Sequence, residues 1–210
     1  MQSVSPINLA EGLMLPVMES FYTIQGEGIQ SGRAAYFIRL GGCDVGCVWC
    51  DVKASWDANA HEIFSIEKIV QNATENAGRF VVITGGEPAM YNLVPITRLL
   101  KDSGFEIAIE TSGAYPISGK FDWICVSPKK FKAPILEAIV KAQELKVVIY
   151  NSSDFKWAEE QALKVNDKCE LLLQPEFSKF DSIMPLIIDY VKQNPKWRIS
   201  LQTHKIINVP

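Results

Sequence analysis

The fold is most strongly constrained by a repeated alternation of short apolar strands and amphipathic helices along the chain. Apolar, β-branched runs predict strands at 35–40, 80–84, 106–110, 123–127, 145–150, 170–174 and 197–202. Amphipathic stretches predict helices at 65–77, 92–102, 133–142, 154–165 and 182–193. The strand runs are almost continuously apolar, which is typical of parallel strands that are covered on both faces or line a barrel. An α/β fold built from right-handed βα units is therefore expected.

The length of the chain favours a barrel that does not close. A complete eightfold barrel usually needs about 250 residues, whereas this chain has 210. We therefore expect a partial, open (β/α) TIM-like barrel in a single domain spanning 1–210. In such folds the chemistry lies at the carboxyl ends of the strands. Glycines and polar residues follow the predicted strands at 41–43, 84–88, 110–113, 127–129 and 174–175, which predicts an active site at this edge.

Composition and charge exclude several classes of function. The net charge is −3 and no basic block is present, which argues against a nucleic-acid-binding protein. No apolar run is long enough to cross a bilayer, so no membrane association is expected. Residues 1–11 lack a basic segment followed by an apolar one, so export is not expected. Together these features predict a cytoplasmic protein.

Three of the five cysteines, Cys43, Cys47 and Cys50, lie within one eight-residue stretch. Three soft thiolates on one loop suit an iron–sulfur cluster or zinc. Structural zinc requires four ligands, and no second cysteine pair has the spacing of a zinc finger. A four-iron cluster held by three cysteines leaves one iron open to a further ligand. The pattern favours a [4Fe-4S] cluster, with zinc or a chance grouping of thiols as alternatives, while Cys125 and Cys169 are expected in the core.

Two motifs resemble those of the radical S-adenosylmethionine (SAM) enzymes. One is Cys43-x3-Cys47-x2-Cys50 with Trp49 before the last cysteine, and the other is the Gly-Gly-Glu-Pro sequence at 85–88. The resemblance implies that the open iron binds the amino and carboxylate groups of SAM. One electron, from an external donor such as flavodoxin or ferredoxin, then cleaves SAM to a 5′-deoxyadenosyl radical that abstracts a hydrogen atom from the substrate.

Further segments are similar, in order along the chain, to the 7-carboxy-7-deazaguanine synthase family. They lie at 21–28, 31–33, 50–51, 110–113, 126–129, 173–175 and 201–205, together with Arg39. The resemblance implies a carbon–nitrogen lyase that converts 6-carboxy-5,6,7,8-tetrahydropterin to 7-carboxy-7-deazaguanine with loss of ammonia. This reaction belongs to 7-deazapurine biosynthesis, including the queuosine pathway of tRNA modification. The resemblance also implies assistance by magnesium and a homodimer.

The same resemblance assigns roles to individual residues. The three cysteines would bind the cluster, and no side chain is assigned as a catalyst because the radical forms at the cluster. The SAM site would comprise Trp49, Cys50, Asp51, Gly86, Glu87, Ser127, Pro128, Lys129, Gln174, Pro175, Glu176 and Phe177. The pterin site would comprise Ile24, Gln25, Gly26, Glu27, Arg39, Thr84, His204 and Pro210, the last through the terminal carboxylate. A guanidinium pairs bidentately with a carboxylate, and a carboxylate accepts from pterin N–H groups, which gives Arg39 and Glu27 a physical reason to be there.

One residue departs from the family pattern. Many members carry Thr or Ser after the Cys-Asp pair, and its hydroxyl can bind magnesium, whereas this chain has Val52. Valine offers no oxygen to a hard cation, so either another oxygen, water and the substrate hold the metal or the protein depends less on it.

Two alternatives to the family reaction remain at the level of sequence. An activating enzyme for glycyl-radical proteins would share both motifs but would need neither the 25–28 segment nor the 202–205 segment. A non-catalytic iron–sulfur protein such as a ferredoxin-like carrier would use four cysteines per cluster, and it would have no use for the βα framework.

Overall fold

The computed structural model describes residues 6–210, with side chains described from residue 8 onward. Its strands are β1 (Met14–Ile24), β2 (Ala34–Leu40), β3 (Glu62–Ser65), β4 (Phe80–Gly85), β5 (Glu106–Thr111), β6 (Trp123–Val126), β7 (Glu144–Ile149), β8 (Glu170–Pro175) and β9 (Trp197–Ile199). Its helices are α1 (Pro6–Ala10), α2 (Ile66–Thr74), α3 (Val94–Asp102), α4 (Leu136–Ile139), α5 (Ser153–Ala162), α6 (Phe180–Gln193) and α7 (Thr203–Ile207). Among these residues no helix has the length and apolar character needed to cross a membrane.

The nine strands form one sheet in the order β3-β1-β2-β4-β5-β6-β7-β8-β9. From β2 to β9 every neighbouring pair is parallel, and β1 is antiparallel to both β2 and β3. Within the described residues β3 and β9 are the two edges, so the sheet does not close. The expected open, partial barrel and its seven parallel strands are therefore confirmed.

Several elements differ from the sequence prediction. The strands β1 and β3 were not predicted, because β1 exposes Glu19, Ser20 and Tyr22 and lacks a continuous apolar run. The helix predicted at 133–142 is only the short α4, and the following residues turn at once into β7, where the Gln143 N–H donates to the Ile124 carbonyl at 3.0 Å. The strand predicted at 197–202 ends at Ile199.

Alternate residues of the central strands β2, β4 and β5 divide between two buried apolar clusters. The outward set, which includes Ile38 and Ile83, packs against the helices in the large cluster. The inward set, which includes Phe37 and Val82, forms a smaller cluster inside the curved sheet. Side chains alternate between the two faces with a period of two. Inward-facing positions nearer the carboxyl ends of the strands, beyond this smaller apolar cluster, can therefore carry polar groups.

Candidate active site

A cavity of about 270 Å³ opens at the carboxyl ends of the parallel strands. Its walls include all three clustered cysteines and every residue predicted to bind the pterin. They also include every residue predicted to bind SAM except Glu87 and Pro128. The structure therefore brings together predicted site residues from segments spread from position 24 to position 210.

The cysteine loop after β2 is clamped by the turn after β4. The Gly42 N–H donates to the Ser55 carbonyl at 2.6 Å, and the Glu87 N–H donates to the Gly42 carbonyl at 2.9 Å. A Cβ on Gly86 would lie 2.4 Å from the Gly42 oxygen and 2.6 Å from Cys43 Cβ. Glycine at 86 is therefore required for the two motif-bearing loops to pack in direct contact.

The Glu87 side chain does not reach the cavity. It is buried, with 1% of its surface exposed, and its carboxylate accepts from the Ser112 N–H at 2.8 Å and the Ala89 N–H at 3.0 Å. It also accepts from the hydroxyls of Thr111 and Ser112. In this structure Glu87 joins the loop after β4 to the end of β5, and any contribution to cofactor binding is indirect.

The thiols of the three cysteines fit a polynuclear cluster better than a single ion. Among residues 6–210 no group of three His, Cys, Asp or Glu side chains converges closely enough to hold one metal ion, although the three thiols line one cavity. Soft thiolate donors spread around a cavity suit an iron–sulfur cluster. Burial raises the pKa of the Cys43 and Cys47 thiols, and the Lys129 ammonium opposes this effect at Cys47. Bound iron would stabilise both thiolates.

A buried lysine joins two carboxylates below the cysteine loop. The Lys146 side chain is 3% exposed, and its Nζ lies 2.5 Å from Glu27 Oε2 and 3.4 Å from Glu110 Oε2. Gln202 Nε2 donates to Glu27 Oε1 at 2.8 Å, and Gln25 Nε2 donates to Glu110 Oε1 at 2.8 Å. Burial by itself raises the pKa of Glu27, but the Lys146 charge and the hydrogen bonds from Lys146 and Gln202 lower it to about 2. Glu27 is therefore ionised at neutral pH.

Lys146, Glu110 and Gln202 line the cavity but were not predicted from the sequence as site residues. Glu110 and Gln202 lie in segments that are similar to the family, but no role was predicted for either. For Lys146 a signal was available, since a lysine interrupts an otherwise apolar predicted strand. Its neighbours Leu145 and Val147 face the outer core, and strand periodicity therefore turns Lys146 inward.

The C-terminal segment covers one side of the cavity. Both the N–H and the hydroxyl of Thr203 donate to the Gly26 carbonyl, at 2.8 and 3.0 Å. A Cβ on Gly26 would lie 2.3 Å from His204 Nδ1, so the absence of a side chain there allows His204 to approach. Burial lowers the pKa of His204, which favours the neutral imidazole. The Thr23 hydroxyl donates to the Pro210 carbonyl at 3.3 Å, which brings Pro210 to the cavity wall.

An open sheet of parallel strands, three cysteines after its first parallel strand and a glycine turn after the next together define a radical SAM enzyme. The model of the Radical SAM superfamily matches residues 37–148, and membership implies a [4Fe-4S] cluster and SAM. The chain is also 56% identical over 204 residues to the 7-carboxy-7-deazaguanine synthase of Flavobacterium psychrophilum, with 97% of each chain covered. It is 44% identical over 207 residues to the enzyme of that name from Synechocystis sp., with 99% of each covered.

Solved structures agree with the sequence relatives. The crystal structure of QueE from Escherichia coli matches with a TM-score of 0.83 at 31% identity, covering 96% of this chain and 99% of that one. The chain belongs to the 7-carboxy-7-deazaguanine synthase family. These findings do not favour either alternative, the glycyl-radical activating enzyme or the non-catalytic iron–sulfur protein.

Proposed function

We propose that this enzyme converts 6-carboxy-5,6,7,8-tetrahydropterin to 7-carboxy-7-deazaguanine with loss of ammonia, as a lyase of queuosine biosynthesis. The observation that carries the proposal is a single cavity in which the three cysteines face the ionised Glu27 and its polar neighbours. The full-length relatives that bear the synthase name support the same reaction.

The residues around the cysteine loop would hold the cofactors. Cys43, Cys47 and Cys50 would bind the cluster, and the glycine at 86 leaves backbone carbonyl groups accessible to the SAM ammonium. When bound, the cluster and SAM supply a 5′-deoxyadenosyl radical that abstracts a hydrogen atom from the substrate. Lys129 lies 5.7 Å from the centroid of the Trp49 ring and donates to the Ser127 carbonyl and hydroxyl at 2.6 Å. This arrangement fixes a positive charge on the wall where the SAM carboxylate would bind.

The polar groups around Glu27 would orient the pterin. The carboxylate of Glu27 has about four lone-pair sites, so it can accept from pterin N–H groups while it also accepts from Lys146 and Gln202. Arg39 donates through Nε to Glu19 at 2.6 Å, and a guanidinium has four further N–H donors for a substrate carboxylate. The neutral His204 and Pro210 would complete the wall and exclude water from the reacting atoms.

Four further expectations belong to this proposal. A single domain spanning 1–210, a homodimer and a cytoplasmic location are each consistent with the family. An external one-electron donor of the flavodoxin or ferredoxin type is required because SAM must be reduced to be cleaved.

The family's magnesium does not fit the donor set of this chain. Val52 offers no side-chain oxygen, and the neighbouring carboxylate of Asp51 is paired with the Lys205 ammonium at 2.9 Å. The next hydroxyl along the loop, Ser55, is buried and donates to the Val52 carbonyl at 2.7 Å. Hard cations take oxygen ligands, and the side-chain oxygens of Asp51 and Ser55 are already engaged, so no step of the proposed mechanism involves magnesium.

The test is anaerobic turnover of 6-carboxytetrahydropterin by reconstituted protein with SAM and dithionite, followed by mass spectrometry. We expect a product at the mass of 7-carboxy-7-deazaguanine, absent in Cys47→Ala. Glu27→Gln should raise the KM for the pterin, whereas Glu137→Gln, which alters an exposed ion pair on α4, should leave it unchanged. Cleavage of SAM without consumption of the pterin would refute the assigned substrate.

A further inference from the structure

The Lys205 ammonium is held at the rim of the cavity by groups from three separate segments. Its Nζ lies 2.9 Å from Asp51 Oδ2 and donates to Gln202 Oε1 at 3.2 Å. It also lies 4.4 Å from the centroid of the Phe177 ring, within the range of a cation–π contact. Asp51, Gln202 and Phe177 all line the cavity, so this charge is fixed beside the residues assigned to SAM and to the pterin.

The same contacts oppose the binding of a divalent cation. Asp51 follows the last cysteine and is the carboxylate nearest in sequence to Val52. A cation that used Asp51 as a ligand would have to displace the Lys205 ammonium or tolerate its repulsion. The side chain at 52 adds no oxygen in compensation. The Asp51 carboxylate is thus already paired with an organic cation in this structure.

We infer that this enzyme works without a divalent cation, and that the Lys205 ammonium supplies the fixed positive charge at the rim of the substrate cavity. The inference rests on the proposed function, since the charge to be balanced is that of Asp51 together with the carboxylate of the bound substrate. A lysine is a compact, strongly hydrated point charge with three donors, and two donors are already assigned to Asp51 and Gln202. The third can point toward a bound anion.

The first experiment measures product formation by reconstituted full-length holoenzyme that has been treated with EDTA and desalted. We expect the same rate with and without millimolar magnesium. With substrate and SAM present, Mn²⁺ added as a paramagnetic probe should remain free in the EPR spectrum. A rate that is lost after EDTA and restored by magnesium, or stoichiometric binding of Mn²⁺, would overturn the inference. Absence of product under both conditions, with SAM still cleaved, would instead refute the proposed substrate.

Variants test the role of the charge itself. Lys205→Met should raise the KM for the pterin by about tenfold or more, as expected for loss of a charge-assisted contact, while iron content is unchanged. Lys205→Arg, which keeps the charge, should retain most of the affinity. Lys168→Met, which removes an exposed lysine before β8, is the matched control and should behave as wild type.

A double variant tests whether the Lys205 ammonium takes the place of a metal ion. Val52→Thr with Lys205→Met restores a hydroxyl and frees Asp51 at the same rim. We expect this variant to bind Mn²⁺ and to be stimulated by magnesium. Equal rates for Lys205→Met and wild type at low substrate concentration would contradict a role for the ammonium.

Discussion

The buried Lys146 provides the sharpest test of the site's electrostatics. Replacing it by methionine removes the ammonium that lies 2.5 Å from Glu27 and 3.4 Å from Glu110. Methionine keeps an unbranched apolar side chain of similar length, so the change removes charge with little loss of volume. The carboxylates of Glu27 and Glu110, which are 17% and 24% exposed, would then be partly buried without this cation, which is unfavourable.

The expected size follows from the pKa of Glu27. A pKa that falls from 4.5 to about 2 corresponds to about 3 kcal/mol of stability at neutral pH, at about 1.4 kcal/mol per pH unit. Removing one partner of a buried ion pair typically costs about 3–5 kcal/mol. We therefore expect Lys146→Met to lower the free energy of unfolding by about 3 kcal/mol at pH 7.

The pH dependence has a definite sign. The folded-state pKa of Glu27 is depressed. Its contribution to the free energy of unfolding is therefore fully present above about pH 4.5 and is lost as the pH falls toward about 2. In that window the unfolded wild-type chain binds a proton that the folded one does not. The stability difference between wild type and Lys146→Met should therefore narrow in acid.

The assay is denaturant unfolding of the cluster-free protein under reducing, anaerobic conditions, followed by tryptophan fluorescence. The matched control is Lys141→Met, which breaks an exposed ion pair to Glu137 with an N–O distance of 3.2 Å and should cost no more than about 0.5 kcal/mol. The double variant Glu27→Gln with Lys146→Met should lose less free energy of unfolding than the sum of the losses in the two single variants. Equal losses for Lys146→Met and Lys141→Met would refute the reasoning.

Three further predictions concern the cofactor loop and the C-terminus. Gly86→Ala would place a Cβ 2.4 Å from the Gly42 oxygen, and we expect a large loss of bound iron per chain on reconstitution. The Cys47→Ala protein should likewise bind well below about four irons per chain. The Cys125→Ala protein, which lacks a buried thiol outside the loop, should bind as much iron as wild type. A short extension after Pro210 should lower kcat/KM for the pterin by about tenfold or more through misplacement of the wall, and an N-terminal tag of the same length is the control.

Much of the fold could be predicted because its signals are local. Each parallel strand is a short apolar run, as at Phe80–Gly85. Ser65 precedes α2 and caps it, because its hydroxyl accepts from the Lys68 N–H at 3.3 Å. The strand β1 was not predicted because its burial pattern mixes buried, partly buried and exposed residues without regular alternation. The five-residue helix α7 was missed because it is too short to show amphipathic periodicity, and its position depends on contacts with Gly26.

By itself, the sequence determined the parallel βα framework, the three-cysteine loop, the glycine turn beside it and the family, since all of these depend on spacing along the chain. Only the tertiary structure decided that Glu87 is buried under the cavity, that Lys146 meets Glu27 across 119 residues and that Lys205 meets Asp51 across 154. The physical reason is that an ion pair between distant segments depends on sheet register and on where the C-terminal segment packs. The period of a strand shows which face a residue occupies, but it does not show which residue of a distant segment lies opposite.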